Sequence, residues 1–522
     1  MLHSVASSAN DPLGQFKDGA WVRGSDHPMP LVGTNIGIRI LGGLGIVRTE
    51  RTFRNAESQS IEATITFPVP VHATLVALTA AIDGCTLTGR AQRRQQARDT
   101  YEGAMDAGRT AILHEEAIRG IHMLSVGHVP PGKEVKVTSI WAMPLSWQGG
   151  RAHLRVPTTI GDVYGRSPLP DSDDLVHAPV VHRARLTVSS DSGAVAVDGV
   201  TLHAGGAEVL LNKPIDILLS HWVARPLAGV AANGDPVALS ITPAPEEDAP
   251  LDAALLLDQS GSMNEPVTDE PRRGAGSRSG IPTKHQAMLE GLRPVLAEEA
   301  ARTRSERLGR YAPFGLRLWQ FNTECTEIGS LDDLEGPDGG TAIGNALATV
   351  IGQCEAADIC IVTDGKSHAL DVQELVRTGR RFTVVLVGKD SLDAQFGHLA
   401  ALSGGELFVV PAADTADAIR AAMKSLRRHH LVQPAIRGLP QTVSARIGGM
   451  DVSACWGRSA PKATGHVGSR DATRPGSVSP LTIAPPPIEE GVPGIGADES
   501  RWIGAVAAVL AIPHMDEEAA AG

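Results

Sequence analysis

The rhythm of hydrophobic and polar positions changes twice along this chain. From about residue 31 to 145 the apolar residues come in short β-branched and aliphatic runs separated by Gly- and Pro-containing stretches, the pattern of half-buried strands joined by turns. Residues 35–41, 61–67 and 135–141 carry it most clearly. One stretch departs from it: residues 92–107 hold few β-branched side chains, include Ala97, Tyr101, Ala104 and Met105, and stop at Gly108, which predicts a helix. Short strands are expected again at 183–189, 208–211 and 215–222, and regularly spaced strands with a single helix point to a β-sandwich-like unit.

An acidic Pro/Ala stretch at 243–250 reads as a linker, and beyond it short apolar runs alternate with helical ones. Strands are expected at 253–257, 316–321, 359–363, 382–387 and 407–410, and helices at 285–300, 343–351, 372–378, 392–402 and 415–426. Bare apolar strands alternating with helices imply a parallel sheet covered on both faces, a doubly wound, Rossmann-like α/β unit. Residues 434–452 offer one or two strands, 456–496 are rich in Pro, Gly and Ser and read as a flexible segment, and 503–512 fit a short docking helix. No repeat of roughly 20–50 residues is visible, which excludes solenoids and propellers. The expected order is a flexible N-terminus at 1–25, a β-rich domain at 26–150 with a β-rich extension at 151–242, a linker at 243–251, an α/β domain at 252–428 and a partly disordered extension at 429–522.

Composition narrows the function classes. The chain has 522 residues, enough for several cores, and with 42% hydrophobic but only 3% aromatic residues those cores must be mainly aliphatic. Fifty-nine acidic against 47 basic side chains leave a net charge of −12, so there is no global footprint for nucleic acid or an anionic membrane. Arg93-Arg94, Arg272-Arg273 and Arg427-Arg428 are not interleaved with aromatics and read as solvated faces or loops. Five dispersed cysteines with no C-x-x-C argue against a disulfide framework or a zinc site and favour a reducing compartment. The first 14 residues lack a secretory pattern, and the apolar stretch at 502–513 is too short to span about 30 Å of hydrocarbon, so the expectation is a cytoplasmic protein without a membrane span.

The candidate chemistry lies in Leu255-Leu256-Leu257-Asp258-Gln259-Ser260-Gly261-Ser262-Met263. A buried strand that ends in Asp and then delivers Ser, Gly and Ser sets a carboxylate and two hydroxyls at the carboxyl edge of a parallel sheet, where ligands bind in open α/β sheets. Two later elements can meet it there: Gly339-Gly340-Thr341 precedes the helix at 343, and the strand at 359–363 ends in Asp364-Gly365. Two carboxylates and three hydroxyls suit a small hard cation such as Mg²⁺, which takes about six oxygens and keeps waters. With only two formal charges offsetting it, the ion stays electrophilic and welcomes a carboxylate from outside.

Asp258-Gln259-Ser260-Gly261-Ser262, with Thr341 after two glycines and Asp364 in Val362-Thr363-Asp364-Gly365, resembles the metal-ion-dependent adhesion site of von Willebrand factor A (VWA) domains. The resemblance implies that Ser260 and Ser262 bind the ion directly, that Thr341 and the two aspartates bind directly or through water, and that Asp or Glu of a protein partner fills the last position. Mn²⁺ or Ca²⁺ can stand in for Mg²⁺ on this reading. It also implies a doubly wound fold in which motion of the last helix, here 415–426, can accompany ligand capture. The N-terminal region has its own resemblance, to the VIT domain of vault proteins and inter-alpha-trypsin inhibitor heavy chains. It rests on Thr52-Phe53-Arg54-Asn55, Ile61-Glu62-Ala63, Thr66-Phe67-Pro68-Val69-Pro70, Tyr101-Glu102 with Ala104 and Gly108, and Val126-Gly127 with Pro130-Pro131-Gly132. That family sets a VIT domain directly before a VWA domain, as the order here requires. A departure is the insertion at 264–282, with Arg272, Arg273 and Arg278, which is expected to leave from the metal loop as a surface loop whose arginines attract an acidic partner if they act at all.

Other signals are weaker. Asp364-Gly365-Lys366-Ser367 ends like a phosphate-binding loop, but the earlier glycine that motif needs falls at Cys360. No H-E-x-x-H or G-x-S-x-G is present, and His429-His430 read as cations closing a helix. Asp332, Asp333, Glu335 and Asp338 read as a solvated acidic loop in preference to one that raises cation affinity near Thr341, and Glu102 and Arg109 as surface or sandwich-packing residues. The expected function is a non-catalytic, Mg²⁺-dependent protein-binding scaffold. The alternative is a Mg²⁺-dependent hydrolase with Asp258 or Asp364 as base or nucleophile, although no second carboxylate or His motif points to it. A scaffold whose assembly ignores the metal site is the third reading.

Overall fold

The computed structural model describes residues 20–21, 28–29, 31–158 (except 71, 119 and 120), 183–245 (except 192–193, 198–199, 202–205, 212–213 and 232), 251–267, 282–306, 315–427 (except 366–369, 388–392 and 411–414), 439, 441–457, 464–467, 479–482, 501 and 503–507. The expectations at 1–19, 268–281, 428–430 and 508–512 lie outside the described residues.

Alternation builds the first half. Along Leu31–Leu41, Ile36, Ile38 and Ile40 are buried while Asn35 and Arg39 are exposed, the period of two that a half-buried strand requires. This strand sits third in a seven-stranded sheet ordered Ala207–Leu210, Arg183–Ser190, Leu31–Leu41, Leu44–Arg54, Glu134–Pro144, Thr74–Ile82, Cys85–Thr88. Its pairings are antiparallel except that Arg183–Ser190 runs parallel to Leu31–Leu41. A three-stranded sheet of Ile61–Pro68, Ile121–Val129 and Ala111–Ile118 shares its core, through Phe67, Leu124 and Val126. The single helix here, Arg94–Asp106, buries Tyr101, whose hydroxyl donates to Glu62 at 2.9 Å, and it ends at Gly108, where φ is +64°.

The second half of the β region departs from the expected order. A five-stranded sheet runs Ser146–Gln148, Arg151–Val156, Ile215–Ser220, Ala194–Val197, Val200–Thr201. A four-stranded sheet runs Leu227–Val230, Pro236–Pro243, Met450–Trp456, Gln441–Ile447. The segment expected as a C-terminal extension therefore returns to pair with the strand that precedes the α/β unit: Leu239 lies opposite Ala454 and Ile241 opposite Val452. Its hairpin turns at Gly448 and Gly449, whose φ values of 53° and 79° are costly for other residues. Trp456 ends a strand, and 464–467 pairs with 479–482 in what was expected to be a flexible segment. Ile503, Val506 and Ala507 of the expected docking helix are buried in the first core.

Between these strands lies a six-stranded sheet ordered Cys325–Ile328, Leu316–Phe321, Ala253–Asp258, Asp358–Thr363, Arg381–Val387, Leu407–Val410. All neighbours are parallel except the Cys325–Ile328 edge, a short strand the sequence reading missed. Alternate side chains feed two cores. Leu255, Leu257, Val362 and Val385 meet Lys284–Glu306 and Thr415–Leu426 on one face. Leu256, Ile361, Val384 and Leu386 meet Ile343–Gln353, Val372 and Asp393–Ser403 on the other. Ala253–Asp258 and Asp358–Thr363 are buried at every position, which is why they lack alternation. Trp319, Phe321, Phe382, Phe396 and Phe408 of this unit are among the largest fully buried side chains.

Polar ties hold the last helix. Arg381 donates to both oxygens of Asp358 and to the Leu426 carbonyl, and buried Glu406 accepts from Ser425 Oγ and the Gly449 N–H, joining helix and C-terminal hairpin. Arg427, expected to be solvated, is 5% exposed and donates to Glu299, a partner on another helix. None of the five cysteines forms a disulfide, and among the described residues no helix is long and apolar enough to cross a membrane.

Candidate metal centre

Asp258 closes Ala253–Asp258, third in the six-stranded sheet and paired on both sides, with its side chain fully buried. The turn that follows is sewn to its neighbours. The Gln259 N–H donates to the Phe321 carbonyl at 2.7 Å, and the Gln259 carbonyl accepts from the Asp338 N–H at 2.9 Å. The Ser260 N–H turns back to Asp258 Oδ1 at 2.7 Å, and the chain enters a short 3-10 turn, Gly261–Asn264. This geometry brings Ser260 Oγ within 3.1 Å of Ser262 Oγ.

The two later elements arrive as the parallel order requires. Asp364 is the first residue beyond Asp358–Thr363, the neighbouring strand, and is 2% exposed. Thr363 Oγ1 donates to Asp258 Oδ2 at 2.5 Å and accepts from the Gly365 N–H at 3.1 Å. Thr341 sits in a loop held by the Gly261 N–H on the Gly339 carbonyl at 3.1 Å and by the Ala342 N–H on the Asn322 carbonyl at 2.8 Å. Gly339 takes φ +76°, a backbone that favours glycine. The Thr341 hydroxyl is half-buried and makes no hydrogen bond among the described residues.

Electrostatics define what this edge lacks. Asp258 is pushed up from 3.8 to about 6, first by burial and then by the charge of Asp364, while hydrogen bonds from Ser260 and Thr363 oppose the rise. Asp364 has a cation: Lys284, 6% exposed, donates to Asp364 Oδ2 at 2.8 Å and to Glu265 Oε2 at 2.7 Å. Asp258 has no cationic partner among the described residues. A desolvated carboxylate, a second carboxylate near enough to repel it and two adjacent hydroxyls form an all-oxygen set that fits a hard divalent cation. Among the described residues no cluster of three or more His, Cys, Asp or Glu is placed to hold a metal, so any ion here depends on the hydroxyls.

Lys284, Glu265 and Thr363 were missed in the sequence. The signal was a lysine at the first turn of a helix, where the helix dipole disfavours a cation and another role is called for. Lys284 also closes the stem of the expected insertion: its N–H donates to the Glu265 carbonyl at 3.0 Å, beside a bridge of Pro266 to Thr283. Arg272, Arg273, Arg278, Lys366, Ser367, Arg428, His429 and His430 lie outside the described residues. Asp332, Asp333, Glu335 and Asp338 are exposed, as are Glu102 and Arg109.

Comparison with known proteins adds the following. Residues 31–139 match the family described as Vault protein inter-alpha-trypsin domain, VIT. The chain is 28% identical over 136 residues to protein mono-ADP-ribosyltransferase PARP4 of Mus musculus, covering 26% of this chain and 7% of that protein. It is 27% identical over 165 residues to von Willebrand factor A domain-containing protein 5A of Rattus norvegicus, covering 31% of this chain and 20% of that one. These matches thus span a fifth or less of the relatives' own lengths. A structure of yeast LTA4 hydrolase aligns over 42% of this chain and 32% of that one at 10% identity and a TM-score of 0.23, too slight a likeness to bear on the fold. The chain carries a VIT domain at residues 31–139 and resembles proteins in which VIT and von Willebrand factor A domains occur together.

Proposed function

We propose that residues 252–428 form a VWA domain whose adhesion site binds Mg²⁺, or Mn²⁺ or Ca²⁺ in its place, and captures an Asp or Glu of a protein partner. Asp258, Ser260, Ser262, Thr341 and Asp364 would hold the ion, and its remaining coordination position would supply Lewis acidity toward an incoming carboxylate. The observation that carries this reading is Asp258: buried at a strand end, repelled by Asp364, lacking a cation of its own and set beside hydroxyls 3.1 Å apart. The similarity to von Willebrand factor A domain-containing protein 5A supports the same assignment.

The chain's own residues set the terms of binding. Thr363 and the Ser260 N–H orient both oxygens of Asp258, and the Gly261-to-Gly339 hydrogen bond holds the Thr341 loop beside the serines. Lys284 neutralises Asp364 and can retain Glu265 when Asp364 turns to an ion. Motion of Thr415–Leu426 on capture would have to break the Ser425–Glu406 and Arg381–Leu426 hydrogen bonds, so the ties of this helix oppose a large displacement. A cytoplasmic, non-catalytic scaffold completes the reading, supported by five cysteines that form no disulfide. One relative's name carries mono-ADP-ribosyltransferase activity, but the match spans 7% of that protein and brings no catalytic assignment here.

The test is retention of proteins from native lysate on the immobilised full chain. Retention in Mg²⁺ that is lost in EDTA, returns with added Mg²⁺ and is absent in Asp258→Ala is the expected outcome. An unchanged retained set under both conditions and in the variant sinks the metal-bridged mechanism.

A further inference from the structure

A second constellation lies inside the VIT sandwich, independent of the metal site. Arg51 pairs across the ladder with Thr34 on one side and Val137 on the other, and its face is shared with Val47 and Thr49. That face points toward the second sheet: the Arg51 guanidinium carbon lies 4.3 Å from the centroid of the Phe67 ring. No hydrogen bond or ion pair reaches this guanidinium among the described residues. Arg51 is half-buried, and desolvation pushes it down to about 10, yet a guanidinium stays charged near neutral pH, with the Phe67 ring as its nearest compensating group on the protein side.

The acids nearby are already engaged. Glu115 accepts two hydrogen bonds from Arg98, each at 2.9 Å, Glu62 accepts from Tyr101 at 2.9 Å, and Glu116 lies 3.8 Å from His122. His114, in ring contact with Phe67 and Trp141, has neither ring nitrogen hydrogen-bonded and is pushed down to about 3, by burial first and then by His122 and Arg51.

Arg51 lines a pocket of about 70 Å³, with Thr34 and Thr49 beside it and Phe67, Val69, Trp141 and Met143 among its apolar walls. One water needs roughly 10–15 Å³ of such space, so the pocket takes a group of a few heavy atoms and not a nucleotide or a helix. A guanidinium fork matches a carboxylate through two parallel hydrogen bonds, and hydroxyls add donors.

We propose that this pocket is a binding site for a carboxylate on a short apolar body, gripped by Arg51 and Thr49 with its carbon chain against Phe67, Val69 and Met143. The same chemistry comes from two sources, a free short-chain organic acid or the end of a peptide. Calorimetric titration of the full chain with butyrate, butyramide and N-acetyl-leucine separates them. Butyrate should bind at least ~10-fold more tightly than its uncharged isostere butyramide, and Arg51→Gln should remove at least ~10-fold of butyrate affinity. N-acetyl-leucine tighter than butyrate assigns the pocket to peptide ends, and the reverse assigns it to free acids. Should Arg51→Gln fail to fold, the butyrate–butyramide comparison on the natural chain decides alone, with Thr49→Val as second variant, expected to weaken butyrate severalfold. Neither carboxylate binding, butyrate and butyramide binding alike, or a folded Arg51→Gln that binds butyrate as the natural chain does overturns the proposal.

Discussion

Replacing Asp258 by Asn should stabilise the metal-free protein at neutral pH. Asp258 is fully buried, and its carboxyl is raised from 3.8 to about 6 by burial and by the charge of Asp364. Between those two values the folded chain binds a proton that the unfolded chain has released, so stability falls as pH rises through this window and the deficit is complete above it. Each pKa unit is worth about 1.4 kcal/mol, so the charged carboxylate costs the folded state ~3 kcal/mol at pH 7. Asn keeps the shape and removes the charge. Its oxygen can still accept from the Ser260 N–H, and its amide can donate to Thr363 Oγ1 once that hydroxyl turns. Urea unfolding in EDTA, followed by the helical circular dichroism that comes mostly from the α/β unit, should show Asp258→Asn more stable by ~1–3 kcal/mol at pH 7 and nearly equal to the natural chain at pH 4. Saturating Mg²⁺ should reverse the order at pH 7, because only the natural chain gains from binding. A variant less stable in EDTA at pH 7, or a difference that does not shrink on acidification, refutes this account of the buried charge.

Lys284→Met leaves Asp364 buried without its ammonium beside a second carboxylate, so metal-free stability should fall by ~3 kcal/mol. Mg²⁺ should restore part of that loss in urea unfolding, and an equal loss with and without Mg²⁺ contradicts the shared electrostatics. A Cβ on Gly405 would sit 1.9 Å from the Phe382 carbonyl, so Gly405→Ala should cost at least ~1–3 kcal/mol by thermal unfolding; an unchanged Tm counts against this strand–loop packing. Ending the chain at residue 428 removes Val443, Met450, Val452 and Ala454 from the first core and uncovers Val237, Leu239 and Ile241. The truncated chain should bind ANS strongly while the natural chain does not, and a dye-free, equally stable truncation contradicts the return of the C-terminal hairpin.

The α/β unit was legible because its pattern is local. Bare apolar runs such as Ala253–Asp258, too short for a helix and alternating with helical stretches, fit strands buried on both faces, and Asp258-x-Ser260-x-Ser262 follows one of them directly. Leu316–Phe321, Leu407–Val410 and Thr415–Leu426 fall where the pattern set them. What escaped was long-range. The strand Pro236–Pro243 finds its partner only after the whole α/β unit, so its neighbour had no sequence signal within reach. Arg151–Val156 buries just Ala152 and Leu154 among charged neighbours, too thin an alternation to read. Lys284 and Arg427 are single cations whose partners, Asp364 and Glu299, are far along the chain, and a charge reads as solvated until its partner is known. Arg51 has the same origin: it lies in the polar run Arg48-Thr49-Glu50-Arg51-Thr52, and which of these side chains turns inward is invisible until the opposing sheet is in place.

A crystal of the full chain soaked in Mn²⁺ and examined by anomalous scattering tests the central claim most directly. The account predicts one strong peak at the carboxyl end of Ala253–Asp258, ligated by Ser260 and Ser262 at ~2.2 Å, with Asp258, Asp364 and Thr341 around it and one position open to solvent or to a carboxylate. No peak there, with Lys284 still on Asp364, or a peak sealed from solvent with no exchangeable ligand, contradicts it.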